Sequence, residues 1–192
     1  MSARNLTIAF FSPKADDPWM NRLVAKVSKH PYCHVELYFE STNQCFSILL
    51  GEKAELRTKT LQSECYEIVT LAVTLKEYDG CLDFCRKTSR SHVTFDNTGM
   101  FLSYLAIPCV LRSKPDKTFC SKIICEALHA GGVEELLPQA PHNATPSRIY
   151  HQIMHSKRRV CASVPYKTNQ LLKKPIITFQ NKKYMRIENI TY

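Results

Sequence analysis

Apolar and polar positions fall into short, bounded segments along this chain. Leu6 to Phe11 is a nearly continuous apolar run closed by Ser12-Pro13, which predicts a buried strand. Asp16-Asp17-Pro18 then opens a helix, with Asp17 as cap and Pro18 in the first turn. Trp19, Leu23, Val24 and Val27 share one face of that helix. His30-Pro31 ends it, because the residue before proline disfavours the helical conformation. From Tyr32 to Phe39 the period changes to two. Val35, Leu37 and Phe39 point one way as core; His34, Glu36 and Tyr38 point the other. Glu40 to Asn43 reads as a turn, and Gln44 to Leu50 as the returning strand of a hairpin.

Residues 51 to 65 are polar and predict no element. Tyr66 to Leu75 alternates as a third strand, and Lys76 to Lys87 places Tyr78, Leu82 and Cys85 at helical spacing. Phe95 to Gly99 is turn-like, and Met100 to Leu111 reads as a buried helix with Pro108 near its end. After a loop at Pro115 and Asp116, Ile123, Ile124, Ala127 and Leu128 mark one face of a helix that starts near Cys120. Gly131 and Gly132 stop it, since glycine accepts the left-handed conformation. Pro138, Pro141 and Pro146 punctuate the next loop, Ser147 to His155 is a short helix, and Val160 to Tyr192 reads as extended segments turning at Pro165 and Lys173-Lys174-Pro175. No repeat or linker divides the chain. The expectation is one α+β domain over 1–192, with a core at about 6–154 and a basic extension at 155–192.

Composition adds limits. At 192 residues, with 44% hydrophobic and 22% charged positions, the chain has the make-up of a folded domain and not of a disordered one. Its apolar runs are too short to span a bilayer, and no basic–apolar–small leader is visible, so a cytoplasmic setting is expected. Nine cysteines without an export signal are expected to be reduced thiols. The sequons at Asn5, Asn143 and Asn189 carry no consequence in that setting. The formal charge of +9, much of it C-terminal from Lys157 to Arg186, fits an anionic membrane surface, nucleic acid, an acidic protein or a plain solvated face.

The candidate chemistry centres on Cys120. A cysteine at the start of a helix meets unpaired N–H groups and the positive end of the helix dipole, which stabilise a thiolate; a small buried hydrophobe at a loop–helix junction is the alternative. A cysteine nucleophile needs a base, a polar group to orient that base, and donors for an oxyanion. His34 on its strand supplies a base. Cys81-x3-Cys85 and Cys120-x4-Cys125 lack the paired spacing of a zinc module, and no glycine-rich phosphate loop exists, so neither metal nor cofactor is expected. Tyr166, Phe179 and Tyr184 in the basic tail could stack on bases.

Two separated segments carry a family likeness. Trp19 to Phe39, a helix followed by a strand of the form His-Val-x-hydrophobic-Tyr, resembles the opening of the circularly permuted papain-like (NlpC-type) cysteine hydrolases. Phe119-Cys-Ser-Lys-Ile-Ile is similar to their nucleophile helix. Phe95 to Gly99 before it, and the proline-rich loop ending in Thr145 to Tyr150 after it, match in order. The resemblance covers about residues 6–154 and is nearest to the YiiX-like and viral branch of a group that also holds the lecithin:retinol acyltransferases. It implies a small antiparallel sheet packed against the helix of the nucleophile Cys120, with His34 as general base. The family takes its third residue from the strand after the histidine strand. Here that strand has neither histidine nor carboxylate, and Ser47, Gln44 or, from the histidine's own strand, Glu36 would have to serve. The backbone N–H of Cys120 is a natural oxyanion donor by helix geometry. The expected activity is attack on an amide or ester carbonyl of a protein or lipid substrate through a thioester. The alternatives are a non-enzymatic interaction or structural protein that kept the fold, or a basic nucleic-acid-binding protein.

Overall fold

In the computed structural model, residues 3–28, 30–61, 64–105, 116–133, 141–160, 176–178 and 186–188 are described. β1 (Ala3–Phe11) is the axis of a six-stranded antiparallel sheet. β2 (His34–Phe39) lies on one side of it, followed outward by β3 (Gln44–Ser47) and β4 (Glu55–Thr58). β5 (Tyr66–Thr74) lies on the other side, flanked at the edge by β8 (Arg159–Val160). Among the described residues, five α-helices accompany the sheet: α1 (Trp19–Ser28), α2 (Leu75–Arg90), α3 (Asn97–Leu105), α4 (Cys120–Ala130) and α5 (Pro146–Met154). β6 (Thr94–Phe95) and β7 (Lys117–Thr118) form a small parallel pair, and β9 (Ile176–Thr178) and β10 (Arg186–Glu188) an antiparallel one.

Strand alternation decides what faces what. Leu6, Ile8 and Phe10 of β1 share a face with Val35, Leu37 and Phe39 of β2, and α4 covers them through Ile123, Ile124 and Leu128. Burying each such side chain is worth about 1.5–3 kcal/mol, so α4 is held by the centre of the core. The hairpin register Leu37↔Phe46 and Tyr38↔Cys45 is set by a turn in which Asn43 takes a left-handed φ of 52°. β4 lies in the polar stretch for which periodicity predicts no element; it completes the sheet by pairing with β3. α2 begins with a capping box in which Thr74 accepts from the Glu77 N–H and Glu77 accepts from the Thr74 N–H.

Several expectations change in detail. Asp17 does not cap α1: its Oδ2 accepts from the Lys14 N–H at 2.6 Å. Of the four residues that share a face by spacing on α1, Val24 is buried, while Trp19, Leu23 and Val27 are exposed. The two glycines after α4 divide the work. Gly131 is right-handed at φ −77°, and Gly132 carries the left-handed φ of 81°. Gly131 is required for proximity instead, because a Cβ there would lie 2.7 Å from the Glu77 carbonyl oxygen and against Cys81 Sγ of α2. The helix expected at Met100 to Leu111 runs from Asn97 to Leu105; Pro108, Pro138, Pro165 and the Lys173–Pro175 turn lie outside the described residues. Past residue 154 the chain rejoins the sheet as β8, and Arg158 pairs with Glu77 at 2.8 Å. Among the described residues the cysteines are free thiols, and no helix is long and apolar enough to cross a membrane.

Candidate active site

His34 opens β2, and Cys120 opens α4, which packs along β2. The start of the strand and the start of the helix therefore meet at one end of the sheet. Cys120 lies close enough to His34 to act on its imidazole. Burial pulls the His34 imidazole down, but Cys120 and Glu36 outweigh it and hold the imidazole at about 9. Cys120 itself is 4% exposed. Phe119, the residue before α4, offers the helix no side-chain cap, so the first-turn N–H groups beside Cys120 have no side-chain acceptor there. The hydroxyl of Ser121, next in the helix, bonds away to the Ala144 carbonyl at 2.7 Å and pins the loop before α5 to α4.

Glu36 lies two residues after His34 on the same strand, so alternation puts the two side chains on one face. Its Oε1 is 3.2 Å from His34 Nε2. The ring N–H is not aligned on that oxygen as a straight hydrogen bond requires, so the contact is one of charge and proximity. The same Oε1 accepts from Lys59 Nζ at 2.6 Å and from the Tyr66 hydroxyl at 3.1 Å, while Oε2 has no hydrogen-bond partner among the described residues. Lys59 also donates to the Tyr66 oxygen at 2.7 Å and sits over its ring. Glu36 is 1% exposed. Burial alone would raise its carboxyl, but Lys59 and His34 hold it well below the usual carboxylate range. Cys45, across the hairpin, faces the same carboxylate.

The structure thus brings Cys120, His34 and Glu36 together. Ser47 is buried on β3 and, by the register Leu37↔Phe46, shares its face with Glu36. Gln44 pairs with Phe39, on the opposite face from Glu36, and cannot reach the imidazole. Sequence reasoning passed over Lys59, Tyr66 and Tyr104. Lys59 lies in the unassigned polar stretch, and nothing in its local pattern distinguishes it from the other basic residues. The burial of Glu36 is the signal for it, since a carboxylate on a covered strand face demands a cation. Tyr104, on α3, is pushed up by burial and by its closeness to Cys120 and Cys33.

The remaining thiols contrast with Cys120. Burial pushes those of Cys33, Cys45, Cys81, Cys85 and Cys125 upward, and no histidine is among the groups that shift these five. Of these six thiols, Cys120 is the one that acts on an imidazole. No family model matches the chain, no curated protein matches it, and no solved structure matches its fold.

Proposed function

We propose that this chain is a cysteine hydrolase or acyltransferase of the circularly permuted papain-like type, acting on an amide or ester bond of a protein or lipid. The observation that carries the proposal is the juxtaposition of Cys120 at an uncapped helix start with His34, whose imidazole is held at about 9 beside it. In the proposed reaction Cys120 acts as a thiolate beside the His34 imidazolium. The Cys120 sulfur attacks the carbonyl carbon, and a C–S bond forms as the C=O bond becomes an oxyanion. The N–H groups at the start of α4 support that oxyanion. Collapse breaks the bond to the leaving group, which takes the proton from His34 and leaves a thioester. Neutral His34 then removes a proton from water or another acceptor, which attacks the thioester and releases the thiolate. Glu36 fills the orienting role from the histidine's own strand, with Lys59 and Tyr66 keeping it charged and in place.

The test is the rate of Cys120 carbamidomethylation by iodoacetamide against pH, resolved by site, in the native chain and in His34→Ala. Reaction persisting well below the ordinary thiol value of roughly 8.5, and lost with His34, is expected. A Cys120 that follows an ordinary thiol curve, or ignores His34, overturns the proposal. The low exposure of Cys120 favours one other reading, a binding protein that retains the fold without turnover; that second outcome is its signature.

A further inference from the structure

α1 turns an apolar stripe outward. Trp19, Leu23 and Val27, spaced four apart, are 63%, 36% and 49% exposed. Arg22 and Lys26 are exposed on the same side of the helix, and no acidic residue occurs between Trp19 and Ser28. The opposite side of α1 is anchored: Val24 packs with Phe11, Cys33, Met100 and Phe119, the residue immediately before Cys120. α3 joins that cluster through Met100 and exposes Phe101 nearby.

We propose that the outer face of α1 seats the protein on an anionic lipid bilayer surface, beside the end of the sheet that carries Cys120. A short helix with tryptophan and aliphatic side chains on its outer face, interleaved with basic residues, has the make-up of a helix lying in the headgroup region. Tryptophan favours that depth because its ring is amphipathic. Arg22 and Lys26 supply the charge complementarity that selects anionic over neutral lipid. The exposed stripe is the convex side of a packed helix, which suits a deformable surface better than a preformed protein groove. This surface does not depend on turnover at Cys120, so it stands or falls separately from the proposed reaction.

Trp19 is the only tryptophan in the chain, so its fluorescence reports on this face and on no other part of the protein, the basic C-terminal segment included. The experiment adds unilamellar vesicles of phosphatidylcholine, alone or mixed with phosphatidylserine, to the full chain and records emission, acrylamide quenching and flotation. Mixed vesicles are expected to shift Trp19 emission to the blue and shield it from quencher, with little effect from phosphatidylcholine alone. Leu23→Ser with Val27→Ser should weaken flotation roughly tenfold or more, the factor equivalent to losing one buried aliphatic side chain. Arg22→Glu with Lys26→Glu should remove the preference for phosphatidylserine. Flotation with unchanged Trp19 emission would assign lipid binding to another surface and overturn the proposal. A blue shift that grows with protein concentration in the absence of vesicles would overturn it in favour of a second copy of the chain.

Discussion

Lys59 Nζ sits 2.6 Å from Glu36 Oε1 and is the strongest charge opposing the cost of burying that carboxylate. Breaking a buried pair from one side leaves the other charge uncompensated. Lys59→Met should therefore lower stability by about 3 kcal/mol at neutral pH. Adding Glu36→Gln to it should restore part of the loss, because the stranded charge is then gone. Urea unfolding of the four proteins of this double-mutant cycle measures the coupling. Equal losses in Lys59→Met with and without Glu36→Gln would show that the pair is not a unit.

The imidazole of His34 depends on its two neighbours in a way that proton titration by NMR can read. In the native chain its midpoint is expected near 9, against an ordinary 6.5. Cys120→Ser removes the larger of the two partners that raise it, so burial regains ground and the midpoint falls. The linked stability has a definite sign. Because the folded value is raised, this contribution is full below about 6.5 and is lost as pH climbs through about 9. Unfolding measured between these limits should decline with pH in the native chain more steeply than in Cys120→Ser.

On the acid side the sign reverses. The Glu36 carboxyl lies below its ordinary 4.5 when folded, so its contribution is present above 4.5 and disappears as acid protonates it. Glu36→Gln should be less stable than the native chain at neutral pH, and the gap should narrow as pH falls below 4.5. A gap that stays constant to the point of acid unfolding would mean that Glu36 is held by packing and not by its charge.

The parts legible in the sequence are those that a local period encodes. β1, β2, β5 and α4 announce themselves through alternating or helical spacing, and His34 and Glu36 share a face on that ground alone. What could not be read arises from long-range burial. Glu36 lies beside the imidazole, and Lys59 and Tyr66, both remote in sequence, converge on it. β4 was hidden because it is a four-residue strand with no fully buried side chain, paired only with β3. Helical spacing groups Trp19, Leu23 and Val27 correctly but does not say which side faces inward. Packing of Val24 against Phe119 settles that.

Gly131 and Gly132 separate two reasons for glycine that look identical in sequence. Around Gly132 nothing lies within 4 Å of an added Cβ, so Gly132→Ala meets only the strain of a left-handed residue, about 1 kcal/mol. Asparagine tolerates that conformation better, and Gly132→Asn should recover much of the loss. At Gly131 the backbone is ordinary and the space is not. An added methyl would press on the Glu77 carbonyl oxygen and Cys81 Sγ, so α2 and α4 must move apart. Overpacking of this kind costs about 1–3 kcal/mol, and asparagine, being larger, should do worse than alanine. Urea midpoints of the four variants should therefore rank in opposite order at the two positions: Asn above Ala at 132, Ala above Asn at 131. The same order at both would place the constraint in the backbone alone and remove the close α2–α4 contact as the reason for Gly131.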